Sequence, residues 1–187
     1  PDIVEERTKG VSREDSLRII LEELDLSVDK DRFQYLTNRK NQCYIESLNQ
    51  LTSEDILPGI FELIKELKQK GIKIALASAS HNGPFILEKI GLLDSFDTIV
   101  DPGKLSRGKP DPEIFEVASA QLGLTPKDCV GIEDSIAGIQ AINSAGSCSI
   151  GVGDDKLSEA FQRVSSTKEL SVTLLQESWK NFVNDKL

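Results

Sequence analysis

Between Lys73 and Val152, short apolar runs alternate with stretches that open on Pro or an acid and close on Gly, and this alternation leaves few folds open. Lys73 to Ser78 reads as a short buried strand, Gly83-Pro84 opens a helix that ends at Gly91, and Phe96 to Val100 is a second strand ending at Asp101. Asp111-Pro112 supplies an N-cap followed by Pro at the first helical position, and that helix runs to Gly123. Cys129 to Ile132 is a third strand. The helix after Asp134 carries Ile136, Ile139 and Ile142 and stops at Gly146, and Cys148 to Val152 is a fourth strand. Strands separated by helices of about 10–15 residues are βαβ units, so a parallel sheet with right-handed crossovers follows. The fold class is α/β, with a Rossmann-like parallel sheet core.

Upstream the pattern is different. Ser12-Arg13-Glu14-Asp15 reads as a capping box, with Leu17, Ile20, Leu21 and Leu24 following at helical spacing. Asp29 or Asp31 opens a second helix, with Phe33, Leu36, Cys43, Tyr44, Leu48 and Leu51 on one stripe and Lys40 intruding on it. No strand is predicted before Leu57-Pro58-Gly59, where Pro58 suits a first helical turn, Ile60, Phe61, Leu63, Ile64 and Leu67 form an apolar face, and Gly71 suits the cap. The expected division is a helical domain at 1–52 and an α/β domain at 53–187, hinged near Leu51–Leu57. Leu170, Leu174, Leu175, Trp179 and Phe182 mark a last amphipathic helix.

A net charge of −9 argues against nucleic acid, whose backbone needs a basic face. It also makes any cation near a strand end informative, because an anionic substrate needs a locally positive pocket. No apolar run approaches the roughly 20 residues of a membrane span, and no signal-peptide pattern is present. Cys43, Cys129 and Cys148 are an odd number without metal spacing, which suits reduced thiols in a cytoplasmic protein. A monomer with no membrane partner is expected.

In open α/β sheets, ligands bind outside the carboxyl ends of the strands. The first strand delivers Ser78, Ala79, Ser80, His81 and Asn82 to such an end. Hydroxyls, an amide and backbone N–H groups at a helix N-terminus suit phosphate, while Ser and Asn also serve there simply as turn residues. Gly108-Lys109-Pro110 places a cation in a loop, either to hold a phosphoryl group or as a solvated surface Lys. Glu133-Asp134 follows the third strand. Adjacent carboxylates there suit Mg²⁺, which is usually held by one or two carboxylates, waters and a substrate phosphate; an N-capping Asp beside a surface acid is the plainer alternative.

Taken together, these segments resemble the haloacid dehalogenase (HAD) superfamily of phosphotransferases. Ala77-Ser78-Ala79-Ser80 looks like its second motif, Lys109-Pro110 its third, and Gly131-Ile132-Glu133-Asp134-Ser135 its fourth. Lys9 to Ser16, Arg39-Lys40-Asn41, Leu76 to Asn82, Gly108 to Pro112 and Ile150 to Gly153 are further similar to the sugar-phosphate mutases of that superfamily. The resemblance implies a HAD-like core under an α-helical cap. It implies Ser78 and Lys109 as catalytic residues at the transferring phosphoryl group, with Ala79, Ser80, His81 and Asn82 binding phosphate. Glu133 and Asp134 would ligate or orient Mg²⁺. Arg13 would clamp the second phosphate, with Gly10, Val11, Ser12, Glu14, Asp15, Ser16 and Lys40 lining the cap side. His81 stands where the relatives carry Lys.

The family's first motif, a strand ending in Asp-x-Asp, is not found in this sequence, and the sequence contains no Met. The strand and its nucleophilic Asp are expected upstream of Pro1. The implied activity is interconversion of β-D-glucose 1-phosphate and glucose 6-phosphate through an aspartyl phosphate and a bisphosphate. A HAD sugar-phosphate phosphatase, or a phosphosugar-binding chain without turnover, are the alternatives.

Overall fold

The computed structural model describes Val4 and residues 7–185. The outer ends of both expected domains, at residues 1–3, 5–6 and 186–187, lie outside the described residues.

Val4, Arg7 and Thr8 are helical, and two longer helices follow. α1 (Arg13–Glu23) starts at Ser12, whose Oγ accepts the Asp15 N–H at 3.1 Å. α2 (Lys30–Leu48) starts at Asp29, whose carboxylate accepts the Arg32 N–H at 2.8 Å. These caps satisfy first-turn donors that have no partner inside the helix. α1 and α2 pack on each other, and Lys40 leaves the apolar stripe to donate to Ser16 Oγ at 3.0 Å.

α3 (Ile60–Gln69) begins after Gly59, held at a φ of 85°, so Pro58 lies in the preceding turn rather than in the helix. Leu63, Ile64 and Leu67 are buried, but Phe61, expected on the same face, is 51% exposed. Its position is about 200° around the helix from Leu63, which turns it to solvent.

β1 (Ala75–Leu76) and β2 (Thr98–Ile99) pair in parallel, Ala75 with Thr98 and Leu76 with Ile99. Both are shorter than their apolar runs, and β1 is half-buried rather than buried. The Asp97 carboxylate accepts the Ile74 N–H at 2.7 Å and ends the ladder on one side. Beyond Leu76 the chain turns, with Ser80 N–H donating to Ser78 Oγ at 3.1 Å.

α4 (Gly83–Lys89) follows β1, and α5 (Glu113–Gln121) follows β2. Pro112 occupies the N-cap position of α5, one residue later than expected, although Asp111 Oδ1 still accepts the Glu113 N–H at 3.1 Å. β3 (Val130–Glu133) is also shifted by one residue: Glu133 is inside the ladder, opposite Gly151. α6 (Ile136–Ala145) ends at Gly146, and β4 (Cys148–Val152) matches its expected span. β5 (Gln162–Val164) pairs in parallel with β4 and was not expected, because Gln-Arg-Val carries no apolar run. α7 (Val172–Asn184) begins after Leu170, which is buried just ahead of it.

Among the described residues, the strands form a β1-β2 pair and a β3-β4-β5 sheet. β1 and β3 therefore each pair on one side only, and Ile132 of β3 remains 39% exposed. The two groups share one body: Ile74 and Val130 pack against one cluster centred on Ile150, Val164 and Val172, and Phe115 of α5 touches clusters on both sides. The carboxyl ends of β1 and β3 consequently lie in reach of the loop that enters α5. The expectation of an α/β parallel-sheet core with helices ahead of it holds.

Candidate active site

Lys109 is the centre of the site. It is buried, and its Nζ donates to Glu133 Oε2 at 2.7 Å while standing 5.1 Å from the Phe115 ring centroid. A Lys is seldom buried without a partner, and a carboxylate with an aromatic face supplies both charge and quadrupole compensation. The Lys109–Pro110 peptide is cis.

Glu133 is held from the other side as well. Its Oε1 accepts Ser135 Oγ–H at 2.8 Å, and Ser135 Oγ in turn accepts the Gly138 N–H at 3.0 Å as the N-cap of α6. A Cβ on Gly138 would run into the Glu133 carboxylate, so this turn of α6 requires Gly for a close approach. Asp134 is exposed at the edge, and its carboxyl lies above the usual range, first through local desolvation and then through the Glu133 charge, with Lys9 opposing. Glu133 thus holds Lys109, and Asp134 lies exposed beside it. Among the described residues no group of three or more His, Cys, Asp or Glu side chains gathers as a metal cage. One or two carboxylates nevertheless suit Mg²⁺, which keeps several waters.

The loop after β1 is a chain of turns. Ser78 Oγ accepts Ser80 N–H, Ser80 Oγ accepts Asn82 N–H at 3.2 Å, and Asn82 Nδ2 donates to Asn41 Oδ1 at 3.2 Å. Both serines therefore fill the turn roles considered for them, and Asn82 reaches the helical segment. His81 is exposed, with Nδ1 4.0 Å from Asp101 Oδ1.

From the helical side, Gly10 lies with a φ of +72° against Ser135, where a Cβ would collide with the hydroxyl. Ser12 and Asp15 at the start of α1 face Ala79, Arg107, Gly108 and Lys109 across a cleft of about 170 Å³. The Asp15 carboxylate accepts Ser12 Oγ–H at 2.7 Å and pairs with Arg18 at 2.6 Å. The other candidates of the helical segment are not among the residues that line this cleft. Val11 and Arg13 are half-buried, Glu14 and Lys40 exposed, and Ser16 buried under Lys40. Arg107 and Glu113 were not singled out by the sequence, and Ser135 entered only as the end of the fourth motif, without a role. Arg107 lines the cleft and pairs with Asp111 at 3.1 Å, which adds a second cation to a pocket in an acidic chain. Nothing in the local spacing of Arg107 or Glu113 announces a site; only the folded loop brings them to it.

An α/β core with a buried Lys–Glu pair at one rim, facing helices across a cleft, defines a class. The chain belongs to the haloacid dehalogenase-like hydrolase family, whose model matches residues 5–146. More particularly, it is similar to the β-phosphoglucomutase of Bacillus subtilis, 45% identical over 183 residues that span 95% of this chain and 80% of that protein. A solved β-phosphoglucomutase from Clostridium difficile superposes with a TM-score of 0.94 at 40% identity, over 98% of this chain and 84% of that one. A phosphorylated carbohydrates phosphatase of Thermotoga maritima is 32% identical over 142 residues, which cover 75% of this chain and 63% of that protein. No described helix is long and apolar enough to cross a membrane.

Proposed function

We propose that the protein is a β-phosphoglucomutase that interconverts β-D-glucose 1-phosphate and glucose 6-phosphate through an aspartyl-phosphate enzyme and β-glucose 1,6-bisphosphate. The observation that carries this reading is the 45% identity to the Bacillus enzyme, which runs through the helical segment as well as the core. The more distant phosphatase likeness covers less of the chain.

Phosphoryl transfer is catalysed mainly by positioning and charge stabilisation. Lys109 brings a desolvated ammonium to the cleft, and Ser78 brings a hydroxyl to the neighbouring turn. Glu133 holds the ammonium in place, and Asp134, with Glu133 behind it, would hold Mg²⁺. When bound, the metal supplies further charge neutralisation at the phosphate oxygens. Ala79, Ser80, His81 and Asn82 bind the transferring phosphate, and Arg13 clamps the second one with a planar guanidinium suited to bidentate contact. Gly10, Val11, Ser12, Glu14, Asp15, Ser16 and Lys40 form the sugar-facing side. Residues 1–52 act as the cap and 53–187 as the core, in keeping with helices alone up to Leu48. The phosphorylated carboxylate comes from a strand upstream of Pro1. One-sided pairing of β1 and β3 among the described residues supports that placement, as a parallel strand there would join the two sheets. The protein works in the cytoplasm as a monomer on small sugar phosphates.

Coupled turnover of β-glucose 1-phosphate by the natural full-length protein with Mg²⁺ tests the reading. Glucose 6-phosphate as product supports it; free phosphate in its place moves the protein to the phosphatases. Calorimetric binding of glucose 6-phosphate without turnover of either kind makes it a binding protein.

A further inference from the structure

The loop that carries Lys109 is built from the first turn of α5. The Glu113 carboxylate does not cap its own helix. It reaches back to accept the Ser106 N–H at 3.0 Å on either oxygen and the Arg107 N–H at 2.7 Å. These two amide bonds, with the Arg107 charge behind them, hold the Glu113 carboxyl below the usual range. Asp111 completes the fold of the loop: its N–H donates to Gly108 O at 3.0 Å, its Oδ1 accepts the Glu113 N–H, and its other oxygen pairs with Arg107. Lys109 lies between the two fixed ends, with its ammonium over Phe115, two residues beyond Glu113 on the same helix.

We propose that Glu113 is the positioning residue for Lys109: by fixing the amides of Ser106 and Arg107, it sets the backbone from which Lys109 reaches Glu133 and the cleft. The charge is essential to this role. Two adjacent N–H donors converge on one carboxylate, which is acceptor-only when ionised. Oε2 alone accepts both N–H groups while Oε1 faces the Ser106 N–H, so a Gln of the same shape keeps at best one oxygen on the pair and sets an NH₂ against the Ser106 N–H, which opposes that bond. The loop is then free to move, and Lys109 no longer arrives at one place.

The role of Lys109 in phosphoryl transfer is taken from the proposed function; its placement by Glu113 is independent of it. The experiment therefore has two readouts on the natural full-length protein and its Glu113→Gln, Glu113→Ala and Glu113→Asp variants. Competitive acylation followed by peptide mass spectrometry measures Lys109 against the exposed Lys65 and Lys180. Glu113→Gln is expected to raise Lys109 labelling about tenfold, the scale of one lost hydrogen bond to a charged group, with the reference lysines unchanged. In turnover, kcat is expected to fall by a similar factor with KM little changed, and Glu113→Asp, which keeps the charge, is expected to restore part of both. Unchanged Lys109 labelling in Glu113→Gln and Glu113→Ala overturns the proposal, as does a rise shared by all three lysines, which marks general loosening. If either of those variants fails to fold, Glu113→Asp decides: Lys109 labelling intermediate and selective supports the role, and labelling equal to the parent's overturns it. An absence of mutase turnover in the parent protein counts against the proposed function alone, because the labelling result stands without it.

Discussion

Lys109 and Glu133 show how one pair of residues couples stability to chemistry. Their side chains are only 5% and 9% exposed, so each charge depends on the other for what water would supply. Lys109→Met should abolish phosphoryl transfer and also destabilise the fold by about 3–5 kcal/mol, the usual effect of leaving one member of a buried pair uncompensated. Lys109→Met with Glu133→Gln should recover much of that stability and none of the activity. Urea unfolding of the two single variants and the double variant measures the coupling. The sequence drew attention to Lys109, Glu133 and Asp134 because each sits in a short motif next to a Pro or after an apolar strand. It did not show that Glu133 is engaged by Lys109, since that depends on a contact between residues 24 apart. The roles of Ser135 and Glu113 were illegible for another reason: a Ser before a helix and an acid in its first turn are ordinary capping chemistry, and only the folded chain gives them a second partner.

At the scale of elements, helix starts double as parts of the site. Ser135 caps α6 and donates to Glu133 with the same hydroxyl. Ser135→Ala should cost about 0.5–2 kcal/mol as a lost N-cap. It should also lower kcat, because Glu133 loses the bond that orients it; thermal unfolding and turnover separate the two effects. The α5 start predicts a pH dependence. Glu113 is held below its ordinary range in the folded chain, so it binds protons more weakly folded than unfolded. Its contribution is fully present above the unfolded value and is lost as pH falls through the lowered folded value. Parent and Glu113→Gln proteins should therefore differ in urea midpoint at neutral pH and converge in acid below the carboxylate range. Helices were the more legible elements because Ser, Asp, Pro and Gly punctuate them, as at Ser12, Asp29, Gly91 and Gly146. The strands were less so: Asp97 cuts β1 short with its side chain, and β5 has a polar sequence that pairs only because β4 offers an edge.

For the molecule as a whole, the question is how the helical segment is held over the core. Gly10 against Ser135 and the Asn41–Asn82 hydrogen bond are direct links, and the cleft between Ser12, Asp15 and Lys109 depends on them. Asn82 lies in the loop after β1, so the latch ties α2 to the turns built on Ser78 and Ser80. Alternation of strands and helices made the α/β core legible, and its absence before Leu57 made the leading helices legible. How closely the two approach was not, since no local pattern encodes a contact between residues 41 apart. A link of this kind biases the chain toward the approached arrangement before substrate arrives, and a substrate that bridges both parts then binds with less work left to do. Asn41 is half-buried, and Asn41→Ala removes the link without touching the core, so stability should fall by about 0.5–1.5 kcal/mol, the net value of one hydrogen bond. KM for the sugar phosphate should rise about fivefold, the value of one net hydrogen bond of ~1 kcal/mol, with kcat retained once substrate has closed the cleft. A fall in KM would instead mean that Asn41 competes with substrate for Asn82, and the contact would then be an obstacle that the sugar phosphate displaces.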